Sequence, residues 1–471
     1  MILVTQRVVE TRARRGLIAT AFSPAGEGSS CFAASSPGYR QGIVYLRRPI
    51  GCCPGGTISL SLKFWNPRAR RMPLPVLLLV WLLLPLSSWA VSPALHTDPI
   101  DLTPPVRQSL QLFYNLNFDA ALKIQQQVAL EHPSDPMAWN FVLTTIIFRE
   151  LYNQDLLDTT YYAHNSFLTV KREVDVPQET RDHIEYLTAK VLQLADAEIA
   201  ADPRDANAYF ARSYAKGMHA VFITLVNHAF AAAARQGYSA RNDAETCLKI
   251  DPQYADAWMA VGIQRFAVAS LPGWLRIIVG FMGMGGNKQE GLNDLWKSAD
   301  QGIVTPIESR TILSLFLRHD RRYPEALNVE RGLAKEYSHN YLFCLEVANL
   351  LKDEGQGLDA IAAYKQVIAD AQRPKYFVDP RLELAWFGLA DTERGYNMIQ
   401  AAAYGYTQAA SQPNSSDWLR KRAELAAGQM DDLLHQRQQA IQMYRAVLTP
   451  GGDQTKAAAA RAYLQSPYVG R

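Results

Sequence analysis

The sequence predicts an all-α fold built from repeated pairs of antiparallel helices, and three observations support this. A short phrase recurs four times, consisting of a proline, four variable residues, an alanine, and then tryptophan or tyrosine. From about Thr103 onward, Ala, Leu, Gln, Glu and Arg dominate, and no alternating Val/Ile/Thr-rich run indicates a strand. Ala326 and Ala360 hold equivalent places in two helical segments, and their separation of about 34 residues is typical of helical repeat proteins.

The recurring phrase marks the junction between one helix pair and the next. Because the residue before a proline is disfavoured in the helical region, the proline ends one helix, and the alanine and aromatic residue begin the next. The copies are unevenly spaced and wider apart than a single repeat, which indicates interrupted units. The four copies are Pro133–Trp139, Pro203–Tyr209, Pro252–Trp258 and Pro380–Trp386.

These helix pairs resemble the tetratricopeptide repeat family. The closest local match is Trp258 to Gly262, and the preceding helix carries Ala240, Ala244 and Cys247 at its packing positions. The resemblance implies an α-solenoid, a superhelix of roughly six or seven repeats from residue 103 to 448. The sequence departs from the family pattern at about 150–180 and 215–290, where we expect inserts, including a long helix through Ala220–Ala234. A terminal capping helix is predicted at about 457–464.

Residues 72–90 have the pattern of a secretory signal peptide. Arg70 and Arg71 precede an uncharged, largely apolar run, Leu74–Leu86, and small residues lead up to Ala90. We therefore expect cleavage near Ala90 and an exported protein, periplasmic or extracellular. An uncleaved N-terminal membrane anchor is the alternative, although a bilayer span needs about 20 apolar residues. Residues 1–71 are interpreted as an over-extended or disordered N-terminal segment, and residues 91–471 as the repeat domain.

Charge divides the chain into two parts. Residues 1–90 carry eleven basic and two acidic side chains, whereas the remainder carries 37 basic and 43 acidic ones. A mildly acidic body argues against nucleic-acid binding, which needs a basic stripe. Two cysteines, Cys247 and Cys344, remain after the expected processing. Two buried free thiols are favoured over a single disulfide, although the sequence leaves both open.

No pattern of catalytic residues is present. The His-Glu-x-x-His, Gly-x-Ser-x-Gly and Cys-x-x-Cys motifs are absent, and the nine histidines are scattered. Asp431 and Asp432 are interpreted as a solvated helix face rather than a general acid/base pair. We therefore predict a protein that is not an enzyme and uses no metal or cofactor. Two alternatives remain: an enzyme whose site lies in the inserts, or a helical protein that contacts a membrane peripherally through the apolar, Gly-rich segment 267–286.

The resemblance also implies where a partner binds. In the family, the first helix of each pair lines a concave groove that holds a peptide or helix of another protein. Asn349 and Lys352 resemble the Asn/Lys pairs with which some family members hold a carboxylate by charge-assisted hydrogen bonds. Ordinary solvated surface is the alternative. The predicted function is a non-catalytic scaffold for a protein or peptide partner in the bacterial cell envelope. The predicted groove residues are Arg318, His319, Asn349, Lys352, Arg422 and Gln429.

Overall fold

The computed structural model describes residues 95–162, 174–271, 273, 276, 285–450 and 454–470, all within the unit Ser88–Arg471. These residues are mostly helical and contain no strand, which confirms the all-α prediction. The signal peptide, the segment before it and most of segment 267–286 lie outside the described residues. The seventeen described α-helices are α1 Pro104–Tyr114, α2 Phe118–Glu131, α3 Pro136–Asn153, α4 Gln178–Ala201, α5 Ala206–Leu225, α6 Phe230–Ile250, α7 Trp258–Ser270, α8 Lys288–Gln301, α9 Pro306–His319, α10 Tyr323–Glu336, α11 Tyr341–Asp353, α12 Gly357–Ala371, α13 Leu382–Gly395, α14 Ile399–Ser411, α15 Asp417–Leu433, α16 Arg437–Val447 and α17 Ala457–Gln465.

Each helix packs against the next one along the chain, so the described residues form eight helix pairs, α1–α2 through α15–α16. This is more than the roughly six or seven repeats expected from the sequence. One reason is that the long helix expected through Ala220–Ala234 is two helices. Helix α5 ends at Leu225 and α6 begins at Phe230, and His228 between them has a φ of 50°. Helix α17 packs on α16 and covers the last pair.

The recurring phrase lies at helix junctions, as expected, in three of its four copies. At Pro133 and Pro203 one helix has just ended, and the next begins within three residues. After Pro203, the Asp205 carboxylate accepts a hydrogen bond from the backbone N–H of Ala208 at 3.1 Å, which caps α5. The fourth copy differs, because α12 already ends at Ala371 and residues 372–381 form a separate connection. Pro380 therefore lies just before the start of α13 but well after the end of α12.

The turns inside six of the eight pairs share one backbone geometry. The first helix ends, a residue adopts positive φ, and the next backbone N–H returns to the carbonyl five residues before it, as in a Schellman motif. For example, the N–H of Gln356 donates to the Leu351 carbonyl at 2.9 Å. Only one described turn of this kind uses glycine for the positive φ. The residues with positive φ are Leu116, Asp155, Arg321, Gly355, Asn397 and His435.

A buried tyrosine on the second helix joins three of the C-terminal pairs to a polar side chain on a first helix. The hydroxyl of Tyr364 donates to Asn349 at 2.6 Å, that of Tyr406 to Asp391 at 3.2 Å, and that of Tyr444 to Asp432 at 2.8 Å. Asp432 is buried and is also bound by Arg437. The expectation that Asp432 lies on a solvated face was therefore wrong, because it satisfies a buried hydroxyl.

The tyrosines fit only because the first helices present small residues to them. A methyl group built on Gly388 would come within 2.6 Å of the Tyr364 ring, and one on Gly428 within 2.6 Å of the Tyr444 ring. Real Cβ atoms do not approach ring atoms this closely, so a larger side chain would force these helices apart. Glycine here allows close helix approach rather than an unusual backbone conformation.

We predict that Gly388→Ala lowers the free energy of unfolding by about 1–3 kcal/mol, because the added methyl group overpacks the contact with Tyr364. Gly332→Ala is the matched control, because Gly332 is exposed in the middle of α10 with nothing within 4 Å of its added methyl. The control should gain roughly 0.5–1 kcal/mol from helix propensity. Urea unfolding followed by circular dichroism measures both. Equal stability of the two variants would contradict the packing assignment.

Candidate functional site

The first helices of the pairs form the inner side of the solenoid. Consecutive first helices contact one another from α3 to α5, α5 to α7, α7 to α9, α11 to α13 and α13 to α15. In a curved stack, the layer whose neighbours approach one another lies on the concave side. We call the face formed by α9, α11, α13 and α15 the inner groove. The six predicted partner-binding residues lie on three of these helices.

The N-terminal helix pairs of the same chain contact part of the inner groove. The Glu308 carboxylate at the start of α9 accepts hydrogen bonds from the hydroxyls of Tyr114 at 2.5 Å and Tyr214 at 3.3 Å. The Asn340 side chain donates to the Tyr114 carbonyl at 2.8 Å. These contacts join first helices of pairs 1 and 3 to pair 5 and to the start of pair 6. The solenoid therefore closes on itself.

A second set of contacts extends this closure to pair 7. The Arg381 Nε lies 2.7 Å from Asp155 and 3.1 Å from Glu383, and all three side chains are buried. The Tyr152 hydroxyl donates to the Asp379 carbonyl at 2.8 Å. Burial, with Asp155 adding repulsion, raises the pKa of Glu383 to about 7. We call the contacts of Glu308 and Arg381 with the N-terminal pairs the closure seam.

Beyond the closure seam, the connection that follows α3 continues along the inner groove. The Arg318 guanidinium donates to the Thr159 hydroxyl at 2.8 Å. Further on, the Tyr161 ring meets the Trp418 ring edge to face, with centroids 5.8 Å apart. Residues 158–162 thus lie against α9 and the start of α15. Residues 158–162 of the same chain therefore occupy this part of the inner groove.

Two of the predicted groove residues are interior structural groups. Arg318 pairs with Glu346 at 2.8 Å and with Asp353 at 2.6 Å, and its side chain is only 2% exposed. Asn349 is buried, donates to Glu346 at 3.0 Å and accepts from Tyr364. The expectation that these two side chains face a partner is corrected here, because internal carboxylates and a tyrosine hydroxyl already bind them.

The other four predicted residues are partly accessible. His319 is half-buried and contacts the edge of the Phe266 ring. Lys352 lies 3.9 Å from Asp391 with its side chain 26% exposed. The Arg422 guanidinium lies 4.0 Å from the centroid of Trp418, a cation–π distance. Gln429 is half-buried and lies two turns further along α15 than Arg422, so the two share one helix face.

Lys352 lies near the end of α11, and Arg422 and Gln429 lie on α15. We call the face with these three partly exposed side chains the open part of the inner groove. Arg422 stands next to the contact of Tyr161 with Trp418. The three side chains offer two cations and one amide to a ligand. The arrangement can bind a carboxylate or a backbone carbonyl by charge-assisted hydrogen bonds. It contains no nucleophile paired with a base.

The described residues contain no group of three or more His, Cys, Asp or Glu arranged to hold a metal ion. Within the same ranges, no helix is long and apolar enough to cross a bilayer. Cys247 and Cys344 are free thiols, and burial raises the pKa of Cys344 to about 11. Such a thiol is not activated for nucleophilic chemistry at neutral pH.

The residues of the closure seam were not found from the sequence. Arg381 and Asp155 are 226 positions apart, and each lies in a connection between helices rather than in a repeated position. The aromatic-rich stretch around Tyr152, Tyr161 and Tyr162 was visible as a departure from the repeat pattern. That departure was the one available sign that this connection has a special contact.

The helix pairs identify the type of repeat. The second helices α10 and α12 begin at Tyr323 and Gly357, a separation of about 34 residues, which is the length of a tetratricopeptide unit. Ala326 and Ala360 are both fully buried against neighbouring helices. The described residues form an α-solenoid of helix pairs that are similar to tetratricopeptide units. Its eight tetratricopeptide-like pairs depart from a regular array at the closure seam, since pairs in a regular solenoid contact only their neighbours.

Comparisons with known proteins give distant structural likenesses. No protein-family model and no curated protein matches the chain. A chain of the Cut9–Hcn1 hetero-tetramer of the APC/C is 12% identical with a TM-score of 0.43, and the match covers 77% of this chain and 55% of that one. Yeast Tom70 is 11% identical with a TM-score of 0.35, covering 77% and 88%. The human IFIT1 dimer with m7Gppp-AAAA is 10% identical with a TM-score of 0.37, covering 76% and 80%. The repeat type therefore rests on the helix pairs themselves.

The closure seam should make stability depend on pH. Burial raises the pKa of Glu308 from 4.5 to about 7, and the hydrogen bond from Tyr114 opposes this. The folded protein then keeps a proton that the unfolded chain loses above pH 4.5. The contribution of Glu308 to stability is therefore complete below pH 4.5 and is lost as the pH rises to 7. Glu308→Gln, which stays neutral, should gain about 1–3 kcal/mol relative to wild type between pH 5 and pH 8.

Urea unfolding at both pH values measures this gain. Glu179→Gln is the control, because Glu179 is exposed in the first turn of α4. Because the substitution is on the surface, its stability should stay within about 0.5 kcal/mol of wild type. A Glu308→Gln difference that is the same at pH 5 and pH 8 would show that Glu308 is ionised in the folded protein throughout this range.

Proposed function

We propose that this protein is a non-catalytic interaction scaffold that binds an extended segment of a protein partner along the open part of the inner groove. One observation carries the proposal: the neighbouring part of the groove already holds residues 158–162 of the chain itself. Arg318 binds a hydroxyl there and Trp418 binds a ring. Side chains that hold an intramolecular segment in this way have the chemistry to hold a partner's segment.

The open part of the groove favours an acidic segment. Lys352 and Arg422 project from α11 and α15, and Gln429 adds an amide. Asp391 lies 3.9 Å from Lys352 and 2.7 Å from Arg394, so a single carboxylate stands beside two cations and the net charge there stays positive. A carboxylate of the partner at Lys352 and another at Arg422 would each gain charge-assisted hydrogen bonds.

We predict that combined substitution of Lys352, Arg422 and Gln429 by alanine reduces partner crosslinks at α15 at least about tenfold, equivalent to losing about 1.4 kcal/mol or more of binding free energy. The measurement is quantitative crosslinking and mass spectrometry of the tagged full chain in its native host. The control replaces three exposed residues on second helices, Gln126, Arg331 and Lys335, and removes the same charge. Equal crosslinking of both variants would count against the groove.

We also propose that the protein acts outside the cytoplasm, in a bacterial envelope. The support is the signal-peptide pattern of residues 72–90 and the small residues before Ala90. N-terminal sequencing of the protein from its native host is expected to give a mature chain that begins just after Ala90. A mature N-terminus before residue 72 would refute both the cleavage and the signal peptide. A mature N-terminus between residues 72 and 90 would favour an uncleaved N-terminal membrane anchor.

A further inference from the structure

Two neighbouring clefts open between the second helices of the C-terminal pairs, and both are lined by Tyr404 of α14. The first has a volume of about 270 Å³, and its walls include Trp386, Leu389 and Ile368. The second has a volume of about 190 Å³ and is lined mainly by polar side chains of α14, α15 and α16. They are separate from the six predicted partner-binding residues. Tyr404 lines both clefts, so an aromatic-walled cleft on one flank of α14 and a polar-walled cleft on its other flank adjoin at this side chain.

The aromatic-walled cleft presents two rings at right angles. Tyr404 is 59% exposed, although it sits at the rim of a concave surface. Its ring centroid lies 5.7 Å from that of the half-buried Trp386, with an interplanar angle of 84°. Aromatic rings at a concave surface offer flat apolar area to a ligand while keeping a polar edge in water. This geometry suits a ligand with alternating apolar faces and polar edges.

The polar-walled cleft is rich in groups that both donate and accept hydrogen bonds. Gln400, Gln436 and Gln439 are exposed around the second cleft, and Thr407 adds a hydroxyl. Asp431 lines the same cleft but is only 6% exposed. Burial, and then the nearby Asp432, raises the pKa of Asp431 to about 6, and no described side chain donates a hydrogen bond to its carboxylate. A nearly buried carboxylate without a donor is stabilised by a ligand that supplies one.

The charged side chains around the two clefts disfavour an anionic ligand. Lys365 at the rim of the first cleft is 3.3 Å from the buried Glu393, so this cation is neutralised within the protein. An anionic ligand would therefore meet the Asp431 carboxylate without a free counter-charge nearby. A proline-rich segment could pack on the rings, but its carbonyls are acceptors and leave Asp431 without a donor.

We propose that the two clefts form one binding site for an uncharged oligosaccharide chain. Its sugar rings pack on Trp386 and Tyr404, and its hydroxyls donate to Asp431 and exchange hydrogen bonds with Gln400, Gln436 and Gln439. The site is independent of the inner groove, so it stands whether or not the groove binds a protein partner. Its open, shallow shape matches a ligand that lies along the surface.

The test is calorimetric titration of the full chain with three tetrasaccharides: β-1,4-linked N-acetylglucosamine, β-1,4-linked glucose and α-1,4-linked glucose. At least one is expected to bind with one-to-one stoichiometry. Tyr404→Ala should weaken that binding at least about tenfold, because it removes the shared ring. Gln439→Ala should weaken it several-fold. Tyr186→Ala is the matched control, since Tyr186 on α4 is 61% exposed and far along the chain from both clefts, and it should bind like wild type.

Three outcomes would overturn the proposal. The first is the absence of binding to all three tetrasaccharides at millimolar concentration by protein with a native circular dichroism spectrum. The second is binding that Tyr404→Ala and Tyr186→Ala leave equally unchanged. The third is tighter binding of a proline-rich decapeptide than of any tetrasaccharide at a site that Tyr404→Ala removes. Because Tyr404 is largely exposed, its substitution is not expected to affect folding.

Discussion

The closure seam is the constraint on which the rest of this structure depends. A regular solenoid contacts only its nearest neighbours, and its inner side stays open along its whole length. Here Glu308 binds Tyr114 and Tyr214, and Arg381 binds Asp155, so pairs 1–3 lie against pairs 5–7. One continuous hydrophobic core extends from Ile100 to Leu419 as a result. The partly exposed side chains of the inner groove therefore lie beside this closure, on α11 and α15.

Buried charge gives the seam its specificity rather than most of its stability. The free-energy cost of removing Arg381, Asp155 and Glu383 from water offsets much of their mutual attraction. Apolar packing around Phe113 and Tyr337 is better suited to supply the stability, since it removes apolar surface from water without a charge to desolvate. The charges fix which parts meet, because a different alignment would leave a buried carboxylate without its guanidinium.

The sequence was sufficient to predict the helix pairs, because their determinants are local. Proline after a helix, an Asp cap, and alanine beneath an aromatic residue act within a few positions of one another, as at Pro203 and Asp205. The number of pairs was less predictable. The turn at His228 adopts positive φ without a glycine, so nothing in the sequence marked the break between α5 and α6.

The site was predicted only in part, for a different physical reason. Repeat position fixes the helix face on which a residue lies, which placed Lys352, Arg422 and Gln429 on first helices. It does not reveal what covers that face. Arg318 is covered because Thr159, from a connection far away in the sequence, lies against it. Tyr404 and Asp431 line one cleft because α15 packs on α14 of the preceding pair, a contact that the repeat pattern does not reveal.

The separation of the seam residues also governs the order in which the chain can fold. Contacts within a pair join nearby residues, so their loop-closure entropy is small. Arg381 and Asp155 are 226 positions apart, and their contact must wait until pair 7 exists. Synthesis from the N-terminus therefore produces early pairs whose inner side, including Tyr114 and Asp155, stays uncovered while about 200 further residues are added. High contact order of this kind slows the last step of folding, so the final closure of the solenoid depends on residues that are synthesised late.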